Sequence, residues 1–224
     1  MIAAYTVEQL RAAEALALGQ TPDGVLMQRA ATAVAATALS RLPSPLPGTR
    51  VVLLVGTGNN GGDALYAGVL LRRRGVFVTA ALISPERTHS GALAAFRRAG
   101  GRIVTLADGG DSALAAAVSA AALVIDGLVG IGARPPLRPS AARLAGLVNA
   151  SDAAVLAVDV PSGMDPDLGD ATGHGSPSAA VRAAVTVTFG APSTGLLVSR
   201  STGELIVADL GLAPAAAVPP DSVA

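Results

Sequence analysis

Three glycine-rich segments carry most of the polar side chains that could do chemistry. Loop 1, residues 56–63, reads Gly-Thr-Gly-Asn-Asn-Gly-Gly-Asp and contains the spacing Gly-x-Gly-x-x-Gly. Glycines at this spacing let the backbone approach an anion closely, and the start of a helix favours negative charge. Two asparagines and an aspartate exceed what a tight turn needs, so loop 1 is predicted to bind a nucleotide.

Two later segments follow apolar runs in the same way. Loop 2, residues 126–136, begins with Asp126 and continues through three glycines to Arg134, whose planar guanidinium suits a phosphate. Loop 3, residues 159–165, begins with Asp159 and carries the hydroxyl of Ser162. Taken alone, loop 3 is equally typical of a Pro/Gly/Asp turn with local caps. Three polar loops after three predicted strands favour a functional site.

The elements that must position these loops alternate between strand and helix. The strands are short, continuous apolar runs, as expected when helices cover both faces of a parallel sheet. They are predicted at residues 50–55, 77–83, 102–105, 122–125, 153–158, 184–189 and 205–207. Helices are predicted at about residues 7–18, 25–42, 62–74, 91–99, 112–120 and 140–150, the first with Thr6 and Gln9 as a capping box.

This alternation predicts the α/β class, as a three-layer αβα Rossmann-like sandwich with a mostly parallel central sheet. Residues 1–212 are predicted to form one domain, followed by a flexible Ala/Pro-rich tail at residues 213–224. In such sheets ligands bind beyond the carboxyl ends of the strands, so the three loops are expected to meet at one edge.

Composition excludes several kinds of chemistry. The chain has no cysteine and no lysine, which excludes disulfides, thiolate zinc sites, Schiff-base chemistry and a Walker-type lysine. Formal net charge is zero and the only basic cluster is at residues 72–74, which argues against nucleic-acid binding. No signal peptide and no apolar run of the roughly 18 residues that span a membrane are found, so a cytoplasmic location is expected. His89 and His174 lie in polar segments and are expected at the surface.

An ordinary NAD-dependent oxidoreductase is one alternative that the sequence weakens. Such enzymes carry an acidic residue about 20 residues after the glycine fingerprint, at the end of the second strand, to hold the ribose. Here no acid occurs in that region before Glu86. A non-catalytic Rossmann-like module that binds a nucleotide or a partner is the other alternative. Loss of the asparagine and aspartate positions in the loops would favour it, but they are all present.

The three motifs together resemble the signature loops of NAD(P)H-hydrate epimerases in order and separation. They are Gly58-Asn59-Asn60-Gly61-Gly62-Asp63, Asp126 with Gly130-Ile131-Gly132-x-Arg134, and Val158-Asp159-Val160-Pro161-Ser162-Gly163. The resemblance spans roughly residues 5–212 and implies an isomerase that interconverts the R and S epimers of hydrated NADH and NADPH (NADHX and NADPHX) in metabolite repair.

The resemblance also implies roles for individual residues. Asp159 would be the catalytic acid/base. The substrate would be bound by Asn59, Asn60, Gly61, Gly62, Asp63, Gly130, Ile131, Gly132, Ala133, Arg134, Pro135, Pro136 and Asp159. One K⁺ ion per subunit would be bound by Asn60, Asp126 and Ser162, whose hard oxygen donors suit an alkali cation better than zinc.

Partners and departures from the family pattern complete these expectations. Many bacterial relatives carry an ADP- or ATP-dependent dehydratase domain, so a dehydratase, separate or fused, is the expected functional partner, and a homodimer is compatible with the resemblance. The chain has Gln28 where the family usually has Glu, Ala31 and Ala64 where it has Gly, and Ser193 where it has Lys.

Overall fold

Seven parallel strands form the centre of the molecule. The computed structural model describes residues 3–105, 111–170 and 180–211. The sheet has the order β3-β2-β1-β4-β5-β6-β7, and every neighbouring pair is parallel. The strands are β1 Arg50–Val55, β2 Phe77–Leu82, β3 Arg102–Thr105, β4 Leu123–Gly127, β5 Val155–Val158, β6 Val185–Phe189 and β7 Glu204–Ala208. The predicted α/β class is therefore confirmed.

Helices cover both faces of this sheet. They are α1 Val7–Gln20, α2 Val25–Arg41, α3 Asn59–Arg73, α4 Ser90–Arg98, α5 Asp111–Ser119, α6 Pro139–Asn149 and α7 Thr194–Val198, with a 3₁₀ turn at Pro85–Arg87. Because side chains alternate along a strand, β1 contributes to two separate cores. Leu53 packs with α2, α3 and α4 on one face, and Leu54 packs with α5 and α6 on the other. Among the described residues, no helix is long and apolar enough to cross a membrane.

The direction of strand addition reverses between β1 and β4. From β1 the chain proceeds through β2 to β3 on one side, and from β4 it proceeds through β5, β6 and β7 on the other. Adjacent strands at such a reversal leave a crevice beyond their carboxyl ends. The pairing of Val55 with Gly127 places the starts of loops 1 and 2 side by side at this crevice.

Some element boundaries differ from prediction for physical reasons. Helix α3 begins at Asn59, so the last five of the eight residues of loop 1 form the first turns of a helix. Glycine has low helix propensity, but here Gly61 packs directly on the backbone of Gly56. Asp126 lies inside β4, paired with Ala157, instead of following the strand. Helix α7 was not predicted. The tail at residues 213–224 and His174 lie outside the described residues.

Candidate functional site

A cavity of about 590 Å³ opens at the reversal of the sheet. Its walls come from the residues that follow β1, β4 and β5 and from helices α1, α2 and α3. Phe189 and Gly190 line it at the end of β6. Eight of the residues predicted to bind substrate line it: Asn59, Asn60, Asp63, Gly130, Ile131, Gly132, Ala133 and Asp159. The structure thus brings loops 1 and 2 and the first residue of loop 3 together around one space.

The other predicted binding residues do not line the cavity. Gly61 and Gly62 are buried in the first turns of α3, while Pro135 and Pro136 lie further along loop 2. Arg134 forms ion pairs with Asp165 (3.2 Å) and Asp167 (2.8 Å), and its side chain is 55% exposed. Asp167 also accepts a hydrogen bond from the backbone N–H of Val7 at 2.7 Å. Arg134 therefore joins loop 2 to the last residue of loop 3, and through Asp167 to the start of α1. Its predicted phosphate contact stays a prediction.

Two glycines of the fingerprint are required by packing. A methyl group on Gly56 would lie 1.8 Å from the carbonyl oxygen of Leu128, and one on Gly61 would lie 2.5 Å from the carbonyl oxygen of Gly56. These contacts let β1, loop 2 and α3 approach one another closely. Gly58, by contrast, has open space around it and lines the cavity. It precedes α3 without a side-chain cap, so the first N–H groups of this helix lack a capping partner.

Asp159 is held in a strained, specific position. Its φ of 69° is the only positive value at a non-glycine among the described residues. Its Oδ2 accepts a hydrogen bond from the backbone N–H of Ile131 at 2.8 Å, and Oδ1 accepts one from Thr188 Oγ1 at 3.5 Å. Burial raises the pKa of Asp159 to about 6, against the lowering effect of these hydrogen bonds. A strained cavity-lining carboxyl with a pKa near neutrality is suited to proton transfer.

A second acidic residue shares the cavity. Asp63, on α3, is 7% exposed. Burial raises the pKa of Asp63 well above its ordinary value, and the charges of Asp159 and Glu14 raise it further. Glu14 lies on α1 and lines the same cavity. The site therefore holds three carboxyl groups within electrostatic reach of one another.

Asp126 and Ser162 form a fully buried cluster below the cavity. Asp126 Oδ2 accepts from the backbone N–H of Ser162 at 2.8 Å, and Oδ1 accepts from Ser162 Oγ at 2.7 Å and from the N–H of Leu128 at 3.2 Å. Asn60 Nδ2 donates to the carbonyl of Val129 at 2.8 Å, and Ser162 Oγ accepts from the N–H of Val129 at 3.2 Å. Residues from all three loops are thus joined through one network.

The charge of Asp126 has no cationic partner in the part of the chain that the structure describes. Burial raises the pKa of Asp126 to about 6, although three hydrogen bonds oppose this rise. A carboxylate, a hydroxyl and an amide each have an oxygen atom that can coordinate an alkali cation. Here all three groups belong to one hydrogen-bond network. The three predicted ligands therefore fit a monovalent cation by their chemistry.

Sequence reasoning missed several residues that line the cavity. The prediction that His89 lies at the surface is wrong, because it is half-buried and lines the cavity with Tyr66. His89 caps α4: its Nδ1 accepts from the N–H of Ala92 at 3.1 Å, and its ring meets that of Tyr66 edge-on at 6.1 Å between centroids. The predicted helix begins at residue 91, whereas α4 begins at Ser90, so His89 rather than Ser90 takes the N-cap position.

Ser193, at the position where the family usually has lysine, is fully buried. Its Oγ has no hydrogen-bond partner among the described residues. The neighbouring backbone is well tied, because the N–H of Thr194 donates to the carbonyl of Tyr5 and the N–H of Tyr5 donates to Pro192, each at 3.0 Å. The smaller side chain therefore leaves the contact between the N-terminus and α7 intact.

Comparisons with known proteins find relatives along nearly the whole chain. A protein of Mycobacterium tuberculosis named bifunctional NAD(P)H-hydrate repair enzyme Nnr is 45% identical over 214 residues, which cover 93% of this chain and 41% of that protein. A protein of Microbacterium testaceum named NAD(P)H-hydrate epimerase is 42% identical over 220 residues, covering 95% of this chain and 80% of the relative. The chain spans about two fifths of the length of the bifunctional relatives of this kind, 41% in the mycobacterial case.

A solved structure supports the fold. The crystal structure of yeast ynu0 superposes with a TM-score of 0.79, covering 91% of this chain and 87% of the yeast chain at 20% identity. The family described as YjeF-related protein N-terminus matches residues 23–195. Since this match covers more than half of the sequence and includes all three loops, the chain belongs to the family of YjeF-related protein N-termini.

Proposed function

We propose that the chain catalyses epimerisation of hydrated nicotinamide nucleotides, interconverting the R and S forms of NADHX and NADPHX. Relatives that the chain covers over most of their length are named NAD(P)H-hydrate epimerase, in Microbacterium testaceum and Bordetella pertussis. The observation that carries the proposal is the strained, half-buried Asp159 in the wall of a cavity that loops 1 and 2 also line.

The cavity suits a nucleotide in size and in backbone chemistry. Its volume of about 590 Å³ lies within the roughly 300–1,000 Å³ typical of small-molecule sites. The uncapped start of α3 provides N–H groups and the positive end of a helix dipole at Asn59 and Asn60. A diphosphate bound there would lie beyond the end of β1, three strands away in the sheet from β6, whose end carries Phe189.

Epimerisation at C6 of the hydrated ring requires proton transfer and no hydride transfer. The substrate is a carbinolamine, with a hydroxyl on the carbon next to the ring nitrogen. It can lose the hydroxyl to give an iminium ion, or open and close at the C6–N1 bond. Both routes need a group that delivers and removes a proton. Asp159 is assigned this role because its pKa of about 6 permits both protonation states near neutral pH.

We propose that one K⁺ ion per subunit is held by Asn60, Asp126 and Ser162. The ion would supply positive charge that offsets the buried Asp126 and would link the three loops. Support comes from the chemistry of these residues: Asp126 is fully buried, without a cationic partner among the described side chains, and bonded to Ser162 from loop 3. Asn60 adds an amide from loop 1 next to the same network.

We propose further that the functional partner is an NAD(P)HX dehydratase that consumes the S form. The bifunctional relative of Mycobacterium tuberculosis is longer than this chain, which covers 41% of it. An epimerase extends the reach of an S-specific dehydratase because the R form would otherwise accumulate. This chemistry makes a dehydratase, fused or separate, the appropriate neighbour.

A coupled assay tests the proposed function. Purified R-NADHX is mixed with an S-specific dehydratase, and NADH formation is followed at 340 nm with and without the protein. Wild type should accelerate NADH formation, and Asp159→Asn should not, whereas the exposed Asp152→Asn should match wild type. Thermal protection by NADHX without any acceleration would instead support a non-catalytic binding module.

A further inference from the structure

Asp63 is a buried carboxyl group that the fold itself does not use. It is 93% buried, on the first turns of α3, and no hydrogen bond or ion pair from the described residues reaches its carboxyl. Its neighbours Ala64 and Leu65 are fully buried in the core. Among the described residues, Ser193 Oγ is the buried side-chain atom without a partner, so the carboxyl oxygens of Asp63 are reached by solvent in the cavity. Because Asp63 lines the cavity, a bound molecule can replace that solvent and contact its carboxyl directly.

The surroundings of Asp63 and Asp159 differ in a way that separates their protonation states. Asp159 accepts hydrogen bonds from Ile131 and Thr188, which favour its carboxylate form. No donor from the described part of the chain reaches Asp63, and the charges of Asp159 and Glu14 disfavour a further negative charge beside them. Two carboxyl groups in one cavity with opposite preferences form an acid/base pair.

We propose that Asp63 is the second proton-transfer group of the site, acting as the acid when Asp159 acts as the base. The inference rests on the proposed epimerase function and assigns the two proton transfers to two residues. Asp63 has this role because it is the buried carboxyl of the cavity that no hydrogen bond from the described residues reaches. It lies on α3, while Asp159 follows the end of β5.

The reaction begins with proton transfer from Asp63 and ends with proton transfer to Asp159. The carboxylic acid of Asp63 transfers its proton to the C6 hydroxyl oxygen, and the C6–O bond breaks with both electrons leaving on water. The lone pair of N1 forms the C6=N1 double bond. A water molecule then adds its oxygen to the opposite face of C6, N1 regains its electron pair, and the proton of that water passes to the carboxylate of Asp159. In the reverse direction the two residues exchange roles, and exchange with solvent restores the starting protonation states.

The variant Asp63→Asn tests this assignment. The amide has nearly the same shape and can still donate a hydrogen bond, but it cannot transfer a proton. We expect kcat to fall by about 10²-fold or more, with KM within about threefold of wild type. Tm should not fall, because no hydrogen bond of Asp63 is lost. Asp152→Asn, the same chemical change at an exposed position, is the matched control and should leave kcat and Tm unchanged.

A double variant gives a readout that a structural role would not produce. If both residues serve one inversion, Asp63→Asn/Asp159→Asn should be only about as slow as the slower single variant, because catalytic groups that act as a unit are non-additive. Losses that multiply would overturn the assignment. So would a kcat of Asp63→Asn within threefold of wild type, or a raised KM with unchanged kcat.

The activities of wild type and Asp63→Asn together distinguish an error about Asp63 from an error about the proposed epimerase function. An active wild type with an active Asp63→Asn variant overturns only the role of Asp63. A wild type that does not accelerate epimerisation overturns both. A fall in kcat accompanied by a matching fall in Tm would assign Asp63 a structural role and also overturn the inference.

Discussion

The buried charge of Asp126 makes a quantitative prediction about stability and pH. Burial raises its pKa from 3.8 to about 6 in the folded protein. Below about pH 4 the group is protonated in both folded and unfolded chains and has no effect. Between about pH 4 and 6 the unfolded chain releases this proton while the folded chain keeps it, so the free energy of unfolding falls as pH rises. A shift of roughly two units corresponds to about 3 kcal/mol, fully lost by pH 7.

Asp126→Asn removes this titration, whatever else it does to stability. We expect the difference in unfolding free energy, wild type minus Asp126→Asn, to fall by about 3 kcal/mol between pH 4 and pH 7. Urea unfolding followed by circular dichroism in Li⁺ buffers measures it at each pH. Asp63 and Asp159 titrate in both proteins, so their contributions cancel in the difference. Parallel stability curves for the two proteins would refute the buried-charge argument.

Adding K⁺ extends the same experiment to the proposed cation. An ion that binds the folded protein at ten times its Kd stabilises it by about 1.4 kcal/mol. At pH 7, K⁺ should therefore raise the stability of wild type more than Li⁺ does at equal ionic strength. Asp126→Asn should lose most of this difference. Identical unfolding curves of wild type in the two salts would contradict the cation site.

Three further predictions follow from the geometry around Asp159. The kcat of wild type should rise with pH through about 6 as Asp159 becomes a carboxylate. A flat wild-type profile between pH 5 and 7 would contradict its role as base. Gly130→Ala should lower kcat by at least tenfold, because its methyl group would lie 2.8 Å from Asp159 Oδ2. Gly132→Ala is the control and should leave kcat within threefold, because there is open space around Gly132. Equal effects of the two changes would count against this positioning of Asp159. Arg134→Ala should raise KM and leave kcat within threefold of wild type. The ion pairs of Arg134 with Asp165 and Asp167 hold loop 2, which lines the cavity, and do not contact the reacting atoms. A lowered kcat with unchanged KM would refute this.

The sequence predicted the fold well because its strands have one strong signature. Runs such as Val51 to Val55 are apolar on both faces, which only a sheet covered on both sides requires. The start of α3 was predicted three residues too late. Its first four residues, Asn59-Asn60-Gly61-Gly62, all have low helix propensity. Their helical conformation depends on the contact between Gly61 and Gly56, which is tertiary.

The location of a candidate site residue was predicted where it follows from a place at a strand end. Asp159 is such a residue. Arg134 is not, because its partners lie 31 and 33 residues further along the chain, and no local pattern indicates which acidic side chain it meets. The unpartnered state of Asp63 likewise depends on which donors from other elements fail to reach it. Side-chain partnership across elements therefore had to come from the structure.

Direct observation of epimer interconversion is the most decisive test of the account. Pure R-NADHX and pure S-NADHX are incubated separately with the purified protein, without any coupling enzyme, and the two epimers are separated by chromatography over time. The account predicts that both samples reach the same R:S ratio much faster than in buffer alone, and that Asp159→Asn abolishes this acceleration. Interconversion by wild type at the rate in buffer, from either starting epimer, would contradict the proposal that this chain is an epimerase.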